Sequence, residues 1–226
     1  MNIPMQISLV SEKTEQAIKF FFSKSYSIIP ISLLIILIIS GCAKEPTSPT
    51  IDEIVIMPLK VGNSWTYKYT KFYTTGEEGE SSQYTISILY DSVYKGERCY
   101  KPYFISSQND TAPIFYLYRN DGLYLLWIEK AEYILAFKFP VIKGDKYAFG
   151  ADTIRVESID TNYTVPAGTF KCIKYVRESY YENKIHDLLI SYYCPGIGEI
   201  AAENYITDSA YLRPHFKTVL LSYELK

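Results

Sequence analysis

The chain has 226 residues, with 23 lysines and arginines against 25 aspartates and glutamates, a formal net charge of −2. That balance gives no electrostatic grip on a polyanion and excludes nucleic acid as a partner. Aromatic residues make up 16% of the chain, and 23 residues are tyrosine. Tyrosine at that density suits strands and half-wet surfaces, where the ring packs and the hydroxyl stays solvated.

Near the start, an apolar stretch from Ile28 to Ile39 follows Lys13, Lys19 and Lys24 and ends in Ile39-Ser40-Gly41-Cys42. Basic residues, a short apolar core and small residues before a cut are the pattern of a secretory signal peptide, a helix removed from the mature protein. The four-residue ending resembles the lipobox of bacterial lipoproteins at every position. The resemblance implies cleavage after Gly41, a diacylglyceryl group on Cys42 and a protein anchored by lipid to the membrane of the cell envelope. The competing reading is an uncleaved membrane helix, because no charge falls between Ser25 and Ala43 and roughly twenty residues can span a bilayer. Pro30 and the polar Ser25-Tyr26-Ser27 start shorten the apolar part and favour processing. Residues 42–50 then read as a flexible tether, rich in Pro, Ser and Thr. Ala43 is not the aspartate that retains many lipoproteins in the inner membrane, which favours the outer membrane.

From Ile51 onward the pattern has a period of two. Trp65, Tyr67 and Tyr69 alternate with polar residues, as do Tyr84, Ile86 and Ile88, so each set marks one face of a strand. A polar loop at 74–82 separates them. Further strands read at 98–106, 114–119, 122–128, 132–139, 146–149, 153–160, 169–178, 187–193, 197–205 and 217–225. Turns at Lys95-Gly96, Asn120-Asp121-Gly122, Lys143-Gly144, Pro166-Ala167-Gly168 and Pro195-Gly196 divide them. No stretch after residue 50 sustains a helical period over ten positions; 201–213, the nearest to one, is broken. The expectation is an all-β fold: residues 51–226 form a single domain, a strongly curved antiparallel sheet of about ten strands closed as a barrel, half-barrel or sandwich. With Cys42 acylated, Cys99, Cys172 and Cys194 remain. Either Cys172 pairs with Cys194 across neighbouring strands, or all three are buried thiols acting as small hydrophobes.

Residues Pro58–Tyr67 can be laid on Pro140–Phe149 without a gap, matching proline, glycine, Asn/Asp and alternating aromatics. Thr85-Ile86 and Thr153-Ile154 follow, then Gly96 and Gly168 before cysteine-bearing strands, then Gly122 and Gly198. The pattern predicts two half-units of about four strands, 56–128 and 138–225. The competing reading is that a proline–glycine turn is a common way into a sheet. PLKVGNSWTY (58–67), VPAGTFKCIKY (165–175) and YYCPGIGEI (192–200) also resemble a motif set that recurs in secreted or lipid-anchored bacterial proteins. The resemblance covers most of 56–225 and implies an antiparallel β fold akin to the half-barrels of periplasmic lipoprotein carriers. It brings no activity with it. Cys194 and Glu199 depart from the pattern, standing where alanine and a leucine-like residue are expected.

Residues that carry chemistry are sparse. No GxSxG elbow occurs. His186 and Asp187 are neighbours on a strand and so point to opposite faces. Asp145, Asp152, Glu157 and Asp160 fit no calcium loop, and no glycine loop leads into a helix to cradle phosphate. Neither a metal nor a cofactor is expected, and Trp65, Gly62, Gly168 and Gly196 read as structural. One feature does point to a function. The segments 114–118, 123–128 and 133–139 are apolar on both faces, so the second face must be covered or must hold an apolar ligand. Tyr67, Tyr69, Phe115, Leu117, Leu125 and Trp127 are the expected lining of such a site. The expected function is non-enzymatic: a tethered β-domain that binds an apolar ligand or another protein of the bacterial envelope. The alternative is an envelope enzyme acting on glycans, with Asp91, Asp121 or Glu129 as acid and base.

Overall fold

The computed structural model describes residues 55–105, 114–182, 184–208 and 211–226. The leader with its expected signal helix, Cys42 and the tether lie outside the described residues. The described part is built from twelve strands: β1 (Ser64–Phe72), β2 (Glu78–Tyr94), β3 (Glu97–Ile105), β4 (Ile114–Arg119), β5 (Gly122–Trp127), β6 (Glu132–Lys138), β7 (Lys146–Phe149), β8 (Asp152–Val165), β9 (Gly168–Tyr181), β10 (Lys184–Cys194), β11 (Gly198–Asp208) and β12 (Tyr211–Glu224). A single 3₁₀ turn, Ile128–Lys130, interrupts them among the described residues.

All twelve strands belong to one antiparallel sheet in the order β6-β5-β4-β3-β2-β1-β12-β11-β10-β9-β8-β7. Apart from β6 and β7, each strand pairs with its chain neighbours, and β1 pairs with β12. The sheet is therefore an up-and-down meander whose first and last strands are joined. Its two free edges, β6 and β7, are consecutive in the chain. Curling brings these edges together: the Tyr147 hydroxyl on β7 donates to the Ala136 carbonyl on β6 at 2.9 Å, and the Lys138 ammonium lies 3.1 Å from Asp145. The result is a nearly closed barrel with one seam. Register shifts in β1, β2, β5, β8, β10 and β11 supply the bends that closure needs.

Every segment read as a strand from the sequence is one, so the sheet has twelve strands rather than about ten. The boundaries moved most where side chains are polar. β2 begins at Glu78, inside the expected loop, and β8 and β12 run beyond their expected limits. Backbone ladders need no apolar side chains; Lys68 and Gln83 pair as readily as Trp65 and Ile86. The halves are also larger than expected. Each half has six strands, β1–β6 and β7–β12, because β6 ladders onto β5. Their opening turns are equivalent in detail. Gly62 N donates to Ile88 O at 2.9 Å, and Ile88 N returns a bond to Asn63 O at 2.9 Å. Gly144 N and Val156 O, then Val156 N and Asp145 O, repeat this at 2.8 Å each. Both glycines have positive φ, +93° and +92°, which a side chain would resist.

The doubly apolar strands are covered on both faces, but not as a sandwich. Tyr116, Tyr118, Leu123 and Phe137 face the main core, which holds Trp65, Tyr67, Tyr175 and Ile200. On the outer face Cys99, Leu117 and Leu126 are buried under Phe115, Tyr124 and Tyr133. The Arg119 guanidinium lies 4.1 Å over the Tyr133 ring and is held by both Glu97 carboxylate oxygens at 2.8 and 2.9 Å. A planar cation stacked on rings caps an apolar patch without losing its own hydrogen bonds.

Cys99, Cys172 and Cys194 are free thiols. The pairing of Tyr193 with Ile173 makes Cys194 and Cys172 the next ladder neighbours. Burial pushes the Cys172 thiol up to about 12 and raises the other two. Native protein at pH 8 should therefore react with a thiol reagent at least about tenfold more slowly than unfolded protein. Two thiols missing after unfolding would reveal a Cys172–Cys194 bridge.

Candidate functional site

The segment before β1 closes the barrel end where the β4–β5 and β10–β11 turns lie. Gly196 N donates to Val55 O at 2.6 Å, and Met57 N donates to the Tyr118 hydroxyl at 2.9 Å. Ile56, Met57 and Leu59 are buried there. Beneath this plug is Glu199, which a bulge turns into the barrel. The β10–β11 register shifts between Tyr192 and Tyr193, so Ala201 stands opposite Tyr192 but Glu199 stands opposite Tyr193. In an unbroken strand Glu199 would share the outer face of Glu203, which binds Lys217 at 3.1 Å. The extra residue, Ile200, re-aims it inward.

Inside, the Glu199 charge acts on the hydroxyls of Tyr67, Tyr84, Tyr116 and Tyr193, raising their pKa values beyond what burial alone does. Tyr67 also donates to the Glu199 carbonyl at 3.1 Å and stacks on Tyr84 with 5.3 Å between centroids. Burial pushes the Glu199 carboxyl up to about 6, and the Tyr193 hydroxyl offsets part of that rise. No cationic side chain or second carboxylate contributes. As a whole residue Glu199 is half-buried.

A cavity of about 170 Å³ adjoins this ring. Tyr116 and Tyr193 belong to both, and Met57 of the plug contributes to the wall. Leu125, Ala136 and Phe149 line it on the two sides of the β6–β7 seam. Arg177 also lines it, with Nη2 3.6 Å from Asp187 and Nε 3.7 Å from Asp152. Ser179 donates to Asp152 at 2.7 Å, and Asn204 donates to Asp187 at 2.9 Å while its oxygen meets His215 Nδ1 at 2.9 Å. The cavity is thus a mostly apolar space with a polar network around Arg177 in one wall, and Glu199 is not part of its lining. A wider hollow of about 380 Å³, among Lys146, Arg155 and Glu178, is floored by charges that pair with one another.

The expected lining divides between two faces. Tyr67 stands in the ring and Leu125 in the cavity wall. Tyr69 shares Tyr67's face, stacked on Phe216 at 5.6 Å. Trp127 also faces inward by register, opposite Ile114, with the Lys130 ammonium 3.9 Å over its ring, but it is not part of the wall. Phe115 and Leu117 are corrections. Directly opposed residues share a face, and the ladder opposes Leu125 to Tyr116, Phe115 to Leu126 and Leu117 to Tyr124. Both therefore join the outer cluster. Of the carboxylates weighed for glycan chemistry, Asp91 lies 3.4 Å from Arg98 and Asp121 accepts from Tyr124 at 2.9 Å; the Glu129 side chain lies outside the description. Among the described residues no group of His, Cys, Asp and Glu could hold a metal ion. Glu199 and Arg177 were missed as site residues. The one sequence signal for Glu199 was its place in a motif position that otherwise takes an apolar residue.

A buried carboxyl without a counter-ion should weaken the fold at neutral pH. Its folded pKa, about 6, lies above its unfolded value. The unfolded state therefore releases the proton first as pH rises, and stability falls between about pH 4.5 and 6 and stays lower above. Glu199→Gln should raise stability at pH 7.5 by roughly 1–2 kcal/mol and flatten that pH dependence, measured by urea unfolding at pH 4.5 and 7.5. Equal loss at both pH values would mean that the group is a structural acceptor.

No protein-family model matches the chain, and no curated protein matches it. Two crystal structures are similar to the chain. One, from Bacteroides fragilis NCTC 9343, is described as a "putative exported protein with YmcC-like fold". It superposes with a TM-score of 0.50 at 13% identity, over 76% of this chain and 100% of its own. The other, a "putative lipoprotein" from Parabacteroides distasonis ATCC 8503, gives a TM-score of 0.48 at 14% identity over the same shares. At 13% identity the likeness to the first is one of fold alone.

Proposed function

We propose that this protein is a lipid-anchored component of the bacterial cell envelope whose barrel holds a small, mainly apolar molecule without acting on it chemically. The observation that carries the binding reading is the cavity of about 170 Å³ between plug and seam. An apolar space of roughly 150 Å³ holds a benzene-sized group, and the inner ends of small barrels are common ligand sites. The anchor reading rests on Ile39-Ser40-Gly41-Cys42, and a fold neighbour described as exported agrees with it. A glycosidase would need two carboxyls about 5–9.5 Å apart across a cleft; among the described residues no second carboxylate acts on Glu199.

Two measurements test the proposal. Cells fed a labelled fatty acid should incorporate it into the protein but not into a Cys42→Ser variant; equal labelling would reject the anchor. Toluene added to the isotope-labelled domain should shift amide resonances of Leu123, Leu125, Ala136 and Phe149 saturably, and Ala136→Leu should weaken the effect by filling the space. Shifts confined to the outer face, or none, would reject the internal site.

A further inference from the structure

The hydrogen-bond donors of the cavity wall narrow the class of molecule that it takes, an inference that rests on the internal-site reading above. Arg177 is the only charged residue of the lining. The ladder opposes it to Ile154 on one side and to Leu189 on the other. Both belong to the cavity wall, and directly opposed residues share a face. Its guanidinium carbon also lies 5.3 Å from the ring centroid of Phe149, another wall residue. Two carboxylates flank the guanidinium, Asp152 at 3.7 Å and Asp187 at 3.6 Å, and both separations are too long for hydrogen bonds. Ser179 and Asn204 donate to these carboxylates at 2.7 and 2.9 Å, which anchors them where they stand. The Arg177 charge is therefore balanced, yet no described residue accepts a hydrogen bond from it, and Nε is buried without a partner. A second donor is Ser191, a wall residue only 4% exposed, whose hydroxyl makes no hydrogen bond among the described residues. Ser191 pairs with Tyr175 and Leu189 with Arg177, so Ser191 and Arg177 are diagonal neighbours on one face, roughly 7 Å apart. That spacing leaves room for one acceptor between the two side chains. A guanidinium can only donate, and a donor left without an acceptor in an apolar place costs free energy. An anionic acceptor would relieve that cost but would meet repulsion from Asp152 and Asp187. A neutral oxygen would not.

We propose that the cavity takes a small neutral carbonyl compound: a ketone, ester or amide on an apolar body about the size of a benzene ring. The carbonyl oxygen has two lone pairs and accepts from Arg177 and Ser191, while the body lies against Leu125, Ala136 and Phe149. Asp152 and Asp187 hold the guanidinium in place and disfavour an anion in the same seat.

Amide shifts of the isotope-labelled domain at pH 8 measure the binding of three probes. Acetophenone supplies the carbonyl, cumene has the same shape without it, and benzoate is the anionic form. Acetophenone labelled at its carbonyl carbon should resonate, when bound, downfield of its position in hexane, as a hydrogen-bonded carbonyl does. Arg177→Met should lower the affinity for acetophenone relative to cumene at least about tenfold, and Ser191→Ala should lower it in the same direction. Taking the ratio cancels the different ease with which the two probes leave water. Cumene should bind both variants as it binds the parent, which shows that fold and cavity persist. If Arg177→Met does not fold, Ser191→Ala and the carbonyl resonance in the parent decide the matter. Benzoate should bind more weakly than acetophenone. A bound carbonyl at its hexane position, ratios unchanged in the variants, or benzoate binding as tightly as acetophenone would overturn the carbonyl assignment. Cumene binding would then leave the internal site standing. Failure of both cumene and acetophenone to shift amides of the cavity wall would overturn both readings.

Discussion

Gly122→Ala is expected to destabilise the domain by about 3 kcal/mol or more and to loosen β6 before any other strand. Gly122 opens β5 with φ +147° and pairs with Lys138. A Cβ there would stand 2.2 Å from the Phe137 carbonyl oxygen and 2.9 Å from the Lys138 Cα. Both are backbone atoms, so no rotamer change relieves the clash, and the edge strand itself must move. That strand carries Ala136 and Phe137 of the cavity wall. Hydrogen exchange should show early loss of protection in residues 132–138 at a denaturant concentration where β9 and β10 stay protected. Gly96→Ala is the control: φ is +84° but nothing lies within 4 Å of the added carbon, and a loss of only about 1 kcal/mol is expected. Equal effects at the two sites would mean that the close approach at Gly122 does not exist.

Trp65→Ala should cost about 3–5 kcal/mol, enough to unfold many domains of this size. Trp65 is fully buried, donates to the Ile197 carbonyl at 2.7 Å and packs beside Gly198. Its loss leaves both a void and an orphaned carbonyl at the turn that leads into the Glu199 bulge. Trp65→Phe keeps most of the ring and loses the hydrogen bond, so about 1–2 kcal/mol is expected. Urea midpoints at unchanged slope measure both values. A Phe variant as unstable as the Ala variant would show that the indole hydrogen bond, rather than volume, holds the turn.

Much of the fold was legible because its signals are local. Trp65-Tyr67-Tyr69 alternation, the Asn-Asp-Gly and Pro-Gly turns and the absence of helical periodicity each act within a few residues. The polar beginning of β2 was not legible, since Glu78–Gln83 join the sheet through backbone bonds that leave no mark on side-chain pattern. The site was half legible. Tyr67 and Leu125 follow from simple alternation, but the faces of Phe115 and Leu117 depend on cross-strand register, which a single strand does not reveal. Glu199 depends on a one-residue bulge that reverses its direction, and only its oddness within YYCPGIGEI hinted at it.

The pairing of β1 with β12 has a bearing on when this chain can take shape. Residue 65 lies across from residue 223, so the stitch that unites the two six-strand arcs waits for the last strand to be made. Until then each arc ends in a raw margin of unpaired amides, and such long-range closure is intrinsically slow. A chain whose closing pair needs its final strand stays pliable along its whole length until its end has been made, and only then becomes a rigid shell.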